Sequence, residues 1–241
     1  MKAVILAGGT GSRLKPLTYW TNKHLLPVGS YPMICYGVAK LREAGIRDIV
    51  IVTNRSAIGG FADVLGSGRD WGVSIVYRIQ EEAGGIAQAL ELARPVIAPA
   101  EKFVVLLGDN LFEESLRPYR EQYEGQPEGA MVLLKKVGDP SRYGVPKLDE
   151  ASGRIEYIEE KPEEPKSEYC VTGLYFYDSD VFRLIDGVKP SRRGELEITD
   201  VNNAYAKQGL LTYRELSAWW TDAGTFESLE EAGRRLKGAI S

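Results

Sequence analysis

The stretch MKAVILAGGTGSRLKPLTYWTNKHLLPV, residues 1–28, decides the fold. Residues 2–7 carry Val4, Ile5 and Leu6 in an unbroken apolar run, the mark of a strand buried on both faces in a parallel sheet. The run stops at Gly8, Gly9 and Gly11, so the backbone leaves the strand tip free to lie close against a ligand. Arg13, Lys15 and Lys23 follow within a few turns of chain. Free backbone N–H groups beside cations are what a polyphosphate requires. Two common glycine motifs are excluded. No Lys-Ser or Lys-Thr follows the glycines, as a P-loop demands, and Leu14 occupies the third glycine position of the dinucleotide fingerprint.

Outward from this stretch, strand and helix patterns alternate. Residues 48–53, 73–77 and 103–107 read as strands. Helices are expected from Pro32 to about Ala44, with Gly45 as the stop, then around residues 60–65, and from Gly85 through Leu92. Such alternation implies a parallel, right-handed wound sheet. Gly8, Gln80 and Asp109 each follow the carboxyl end of a strand, where these sheets hold their ligands. Past Ala130 the pattern changes. Strands are expected at 130–137, 143–148, 154–159, 171–177 and 211–216, with helices only at 199–209 and from Thr225 to about Leu236. The expected fold class is therefore α/β: a Rossmann-like, mostly parallel wound sheet with a smaller α+β lobe. One folded unit spans 1–241, about 1–130 forming one half and about 131–241 the other.

Composition narrows the function. A formal charge of −4 over 241 residues argues against a general nucleic-acid binder, so an anion must be held by local cations. Two cysteines, Cys35 and Cys170, form neither a disulfide framework nor a metal-ligand cluster, and are expected reduced and buried. No apolar run approaches about 18 residues, and no signal-peptide pattern precedes the first strand. A cytoplasmic location with no membrane partner is expected.

GGTGSRLKPLT (8–18) and KHLLPVG (23–29) are followed in order by GGIAQAL (84–90), LLGDN (106–110), RYGV (142–145) and IEEKP (158–162). VTGLYFYD (171–178), RGELEITD (193–200) and WWTDAGT (219–225) complete the set. Together they resemble the sugar-phosphate nucleotidylyltransferases, most nearly the short-form branch that joins dTTP to glucose 1-phosphate. The resemblance implies the nucleotide-diphospho-sugar transferase fold, with the first half holding nucleotide and the second holding sugar. It implies Mg²⁺-dependent transfer to give dTDP-glucose and pyrophosphate, dTTP and a hexose 1-phosphate as partners, and a homo-oligomer. UTP or another hexose is the alternative within the family.

The resemblance also assigns residues. Arg13, Lys23, Asp109 and Lys161 would be catalytic. Leu6, Gly8, Gly9, Gly11, Ser12, Gln80 and Gly85 would join Arg13, Lys23 and Asp109 around the nucleotide, Gln80 meeting the base through its carboxamide. Asn110, Gly144, Glu160, Lys161, Val171 and Arg193 would bind the sugar phosphate. Asp109 and Asp222 would hold Mg²⁺, which favours a couple of carboxylates completed by phosphate and water oxygens. A helix N-cap or loop solvation is the plainer reading of Asp109, and an Asx-turn that of Asp222. Lys15 reads as a solvated lysine, and Trp219 and Trp220 as core or interface aromatics.

Three departures stand out. His24 occupies a position where longer relatives often carry glutamine, and it is given no proton-transfer role. Glu82-Ala83-Gly84-Gly85 replaces a proline-aspartate-glycine element in the base-reading stretch, leaving base selectivity open. The chain runs about twenty residues past Asp222, so feedback control through a longer helical tail is expected to be missing or rebuilt. Outside this class stand a nucleotide-sugar glycosyltransferase of similar fold and a non-catalytic nucleotide sensor.

Overall fold

A computed structural model describes residues 1–149 and 153–240. Its strands are β1 (Lys2–Leu6), β2 (Pro27–Val28), β3 (Tyr31–Pro32), β4 (Asp48–Asn54), β5 (Ser74–Gln80), β6 (Phe103–Leu107) and β7 (Asn110–Phe112). They continue with β8 (Ala130–Lys136), β9 (Gly144–Asp149), β10 (Arg154–Glu160), β11 (Tyr169–Tyr177), β12 (Leu211–Glu215) and β13 (Trp220–Asp222). The helices are α1 (Met33–Glu43), α2 (Ile58–Leu65), α3 (Ile86–Glu91), α4 (Arg117–Gly125), α5 (Val181–Ile185), α6 (Ile198–Lys207) and α7 (Phe226–Arg235).

Seven strands form one sheet in the order β12-β8-β11-β6-β1-β4-β5. β6, β1, β4 and β5 are mutually parallel, as the apolar runs predicted. β11 enters antiparallel between β6 and β8, and β12 lies parallel to β8. Alternate residues of β1 feed opposite faces: Ala3 and Ile5 join one apolar cluster, Val4 and Leu6 the other. A sheet covered on both faces needs this double burial, which is why its central strands read as continuous apolar runs.

The second half does more than lengthen the sheet. β9 and β10 form a separate antiparallel hairpin, and α6 packs along β10 through Asn203, whose side chain bonds the backbone N–H and C=O of Ile158. β13 pairs antiparallel with β7. A third, smaller cluster, including Leu111, Ala223, Ala232 and Leu236, fixes α7 behind that pair. Thr225 caps α7 with a reciprocal bond to Ser228. Both cysteines are buried, and burial pushes their thiols up to about 12, so neither is nucleophilic near neutral pH. Among the described residues no helix is long and apolar enough to cross a membrane.

Candidate active site

The parallel strands end along one edge of the sheet. Pairing continues past β1, where Ala7 N–H donates to Val52 O at 2.7 Å and Gly108 N–H donates to Leu6 O at 2.9 Å. These bonds hold the glycine loop and the Gly108-Asp109 turn side by side. A cavity of about 300 Å³ opens there, lined by Leu6, Gly8, Gly9, Thr10, Lys23, His24, Gln80, Gly85 and Asp109. A second cavity of about 620 Å³ adjoins it, lined by Arg13, Asp109, Asn110, Arg142, Tyr143, Gly144, Glu160, Lys161, Val171, Thr199, Trp220 and Asp222. The two share the side chains of Ile86, Leu107 and Asp109.

Asp109 is held from both sides. Lys23 Nζ pairs with its Oδ2, and Asn110 Nδ2 donates to its Oδ1 at 3.0 Å. Burial would raise this carboxyl's pKa, but Lys23 and the hydrogen bonds keep it well below the usual carboxylate range. Asn110 is itself fixed, its Oδ1 accepting from Gly173 N–H at 2.7 Å and from the Trp220 indole at 2.8 Å. Asn110 therefore orients Asp109 as well as lining the second cavity. Trp220 is a core aromatic with a working N–H.

Asp222 reaches the same place from the far end of the chain. The β7–β13 register sets it opposite Asn110, and Ala223 N–H donates to Asp109 O at 2.8 Å. Tyr143 Oη donates to Asp222 Oδ1 at 2.7 Å, while Arg13 and Arg142 stand 3.7 and 3.9 Å from Oδ2. Burial, with Asp109 opposing the Tyr143 bond, raises the pKa of Asp222. Two carboxylates that disfavour one another's charge across a polar cleft suit a divalent cation. Among the described residues no third His, Cys, Asp or Glu completes a protein-only metal cluster. The donor set therefore fits Mg²⁺, whose remaining ligands are commonly water and substrate phosphate.

In the second cavity Thr199 Oγ1 donates to Glu160 Oε2 at 2.6 Å, and Lys161 Nζ lies 3.5 Å from Glu160 Oε1. Lys161 adopts φ 49°, a left-handed conformation rare for a residue with a side chain. Its N–H bonds Tyr143 O at 2.9 Å, so the hairpin holds that conformation in place. Gly144 sits in regular β9 pairing opposite Glu160, whereas Gly173 falls where the β11 register shifts.

Three expected residues stand outside the linings of the two cavities. Arg193, expected to meet the sugar phosphate, lines neither cavity. Its Nη2 donates to both oxygens of Glu197 at 2.9 Å and stands 3.3 Å from Glu195 and 3.7 Å from Glu160, which does line the second cavity. Glu197 is buried and also accepts from Ser191 Oγ at 2.7 Å, so the part-exposed guanidinium bridges Glu197 and the cavity residue Glu160. Gly11 and Ser12 also lie outside both linings. Ser12 opens an exposed 3-10 turn, and Thr18 Oγ1 donates to the Gly11 carbonyl at 2.7 Å. Lys15 is exposed above the Tyr19 ring.

His24 is buried, and its Nδ1 donates to Asn22 Oδ1 at 2.7 Å. Burial, reinforced by Lys23, lowers its pKa to about 3, so it stays neutral. Arg142, Tyr143 and Thr199 are among the cleft residues that sequence reasoning missed. Their motifs were noticed, but nothing in their spacing reveals the contacts with Asp222 and Glu160.

A wound α/β sheet with cationic glycine-loop and paired-aspartate clefts at its strand ends defines a nucleotide-binding transferase class of site. A model of the family described as "Nucleotidyl transferase" matches residues 2–238, and the chain belongs to that family. A glucose-1-phosphate thymidylyltransferase of Neisseria meningitidis serogroup A is 43% identical over 235 residues, covering 96% of this chain and 81% of that protein. One from Xanthomonas campestris pv. campestris is 44% identical, covering 98% and 80%. A Bacillus anthracis crystal structure with sucrose, provisionally described as the same enzyme, is 55% identical with a TM-score of 0.93, covering 98% of this chain and 95% of that one.

Proposed function

We propose that the protein transfers the dTMP moiety of dTTP to glucose 1-phosphate, releasing pyrophosphate. The observation that carries the reading is the meeting of two clefts at one carboxylate: Asp109 belongs to both, with Lys23 on one side and Asp222 beside it. The named activities of the relatives support the same choice of substrates. The reading assigns about residues 1–130 chiefly to the nucleotide and about 131–241 chiefly to the sugar phosphate. It carries with it a cytoplasmic, homo-oligomeric enzyme.

Nucleotide would lie along Leu6, Gly8 and Gly9, with Gln80 and Gly85 at the base and Lys23 and Arg13 over the phosphates. Glu160 would accept from sugar hydroxyls, Lys161 would bind the sugar phosphate, and Val171 and Gly144 would line the ring. Arg193, beside Glu160, would be a second cation for the sugar phosphate, and Arg142 lines the same cavity as Glu160. A phosphate monoester is already anionic near neutral pH, so its oxygen attacks the α-phosphorus without a general base. The neutral, buried His24 is in keeping with that. The obstacle is repulsion between two polyanions. Arg13, Lys23, Arg142 and Lys161 offset it and align the oxygen with the leaving pyrophosphate. Asp109 and Asp222 would hold Mg²⁺, which when bound neutralises charge growing on the phosphoryl oxygens.

Pyrophosphate release by the purified protein with Mg²⁺ tests this, crossing five nucleoside triphosphates with several sugar 1-phosphates. Release that requires both substrates, fastest for dTTP with glucose 1-phosphate, is expected. Consumption of a nucleotide sugar without pyrophosphate chemistry would replace the reading with glycosyl transfer.

A further inference from the structure

Another cavity, of about 390 Å³, adjoins the first and shares with it only Gly9 and Thr10 of the glycine loop. Its volume falls within the span of small-molecule sites, about 300–1,000 Å³. Its lining differs in kind from the two clefts that meet at Asp109. Thr10, Thr18, Thr21 and Ser56 supply hydroxyls, Asn22 and Asn54 carboxamides, and none of the lining residues carries a charge. Tyr19 and Trp20 complete the wall.

These aromatics belong to a concentrated apolar surface. Among the described residues six large apolar side chains are exposed, and three of them, Leu17, Tyr19 and Trp20, fall within four consecutive positions. Trp20 is 94% exposed. An indole normally contributes a large buried area, so a bare one beside a cavity marks a surface shaped for a ligand. Lys15 stands over the Tyr19 ring at 5.5 Å, which leaves Trp20 as the open face.

The polar groups divide in two. Asn22 Nδ2 donates to Ala7 O at 3.0 Å, Thr18 Oγ1 to Gly11 O at 2.7 Å and Ser56 Oγ to Asn54 Oδ1 at 3.1 Å, so these hold the loop and one another. The Thr10 and Thr21 hydroxyls and the Trp20 N–H have no hydrogen-bond partner among the described residues. A phosphate or carboxylate finds no cationic side chain here. A neutral sugar finds its complement: free hydroxyls to exchange hydrogen bonds with its own, and an aromatic face for the C–H groups of its ring.

We propose that this cavity is a binding site for a neutral mono- or disaccharide, seated on Trp20 and hydrogen-bonded by Thr10 and Thr21. The site stands apart from the proposed reaction, and its test requires no turnover.

Ligand-observed NMR titrations with glucose, mannose, galactose and maltose test it on the wild type, Trp20→Ala, Trp20→Tyr and Thr21→Val. Saturable binding of at least one sugar to the wild type is expected, undiminished by saturating glucose 1-phosphate. Trp20→Ala should weaken it about tenfold, and Trp20→Tyr, which keeps an aromatic face, by no more than about threefold. Thr21→Val keeps the shape and removes the hydroxyl, and should cost about fivefold. Both positions are exposed, so the variants should fold as the wild type does. Absence of saturable binding by all four sugars overturns the proposal, as does binding that Trp20→Ala leaves unchanged. Displacement by glucose 1-phosphate would place the sugar in the second cleft and overturn it too. An oligomer that Trp20→Ala dissociates, with no sugar bound by the wild type, would give the aromatics to a second copy of the chain instead.

Discussion

The two clefts that meet at Asp109 are built by different means. The first lies at the ends of β1, β5 and β6, strands of one parallel run in the sheet, where Gly8 and Asp109 follow β1 and β6 and Gln80 closes β5. The second is assembled from the β9–β10 hairpin, a register shift in β11 and the three-residue β13, which travels across the molecule to pair with β7. One cleft is a consequence of sheet topology. The other depends on side-chain bonds such as Tyr143 to Asp222 and Thr199 to Glu160. The difference predicts that chemistry is most sensitive where the clefts share a residue, and stability where one strap ties them together.

The largest expected effect is at the shared residue. Asp109→Asn keeps the shape of the side chain but weakens the pairing with Lys23 and the metal site, so kcat should fall by roughly 10²–10³ or more. Unchanged far-ultraviolet circular dichroism and a Tm near that of the wild type would place the loss in chemistry. Retained turnover would separate the clefts. Next comes the strap before α6, where Leu196 N–H donates to Gly84 O at 2.8 Å and Ala87 N–H to Leu196 O at 3.1 Å. Gly85→Ala imposes a Cβ against Leu196 O at φ 100°, and a chemical denaturation midpoint should register a loss of about 1–3 kcal/mol.

His24 gives a pH signature. Its folded pKa of about 3 lies below its ordinary value of 6.5, so the unfolded chain binds the extra proton between those limits. His24 therefore contributes stability that is present above pH 6.5 and is lost as pH falls toward 3, at up to about 1.4 kcal/mol per pH unit. Urea titrations at several pH values should show a shallower slope in His24→Gln. Equal slopes would mean that the imidazole is not buried neutral. The smallest effect is expected for Trp220→Phe, which removes the indole N–H from Asn110 at a cost of about 1 kcal/mol. Its activity should fall several-fold with a higher Mg²⁺ requirement, since Asn110 then holds Asp109 less firmly.

The same contrast decides what could be read from the sequence. β1, β4 and β6 were legible because strands buried on both faces need continuous apolar runs, and the carboxyl ends of β1, β5 and β6 located Gly8, Gln80 and Asp109. β7 and β13 are three residues each, too short for a periodicity to register. α4 was hidden differently: among its residues only Tyr123 is buried, its hydroxyl bonding Gly129 O at 2.6 Å, so no apolar stripe marks it. Arg193 shows the limit for charges. Its motif matched the family, but only the fold shows that its guanidinium bridges the buried Glu197 and the cavity residue Glu160.

The central claim is that one oxygen of a sugar 1-phosphate displaces pyrophosphate at the α-phosphorus across the Asp109 junction. Incubating the protein and Mg²⁺ with glucose 1-phosphate and dTTP labelled at the α-phosphate follows that bond directly. The account predicts label in a nucleotide sugar, unlabelled pyrophosphate in equal amount, and neither product without the sugar phosphate. Label recovered only as dTMP or dTDP, or a nucleotide sugar without label, would contradict it.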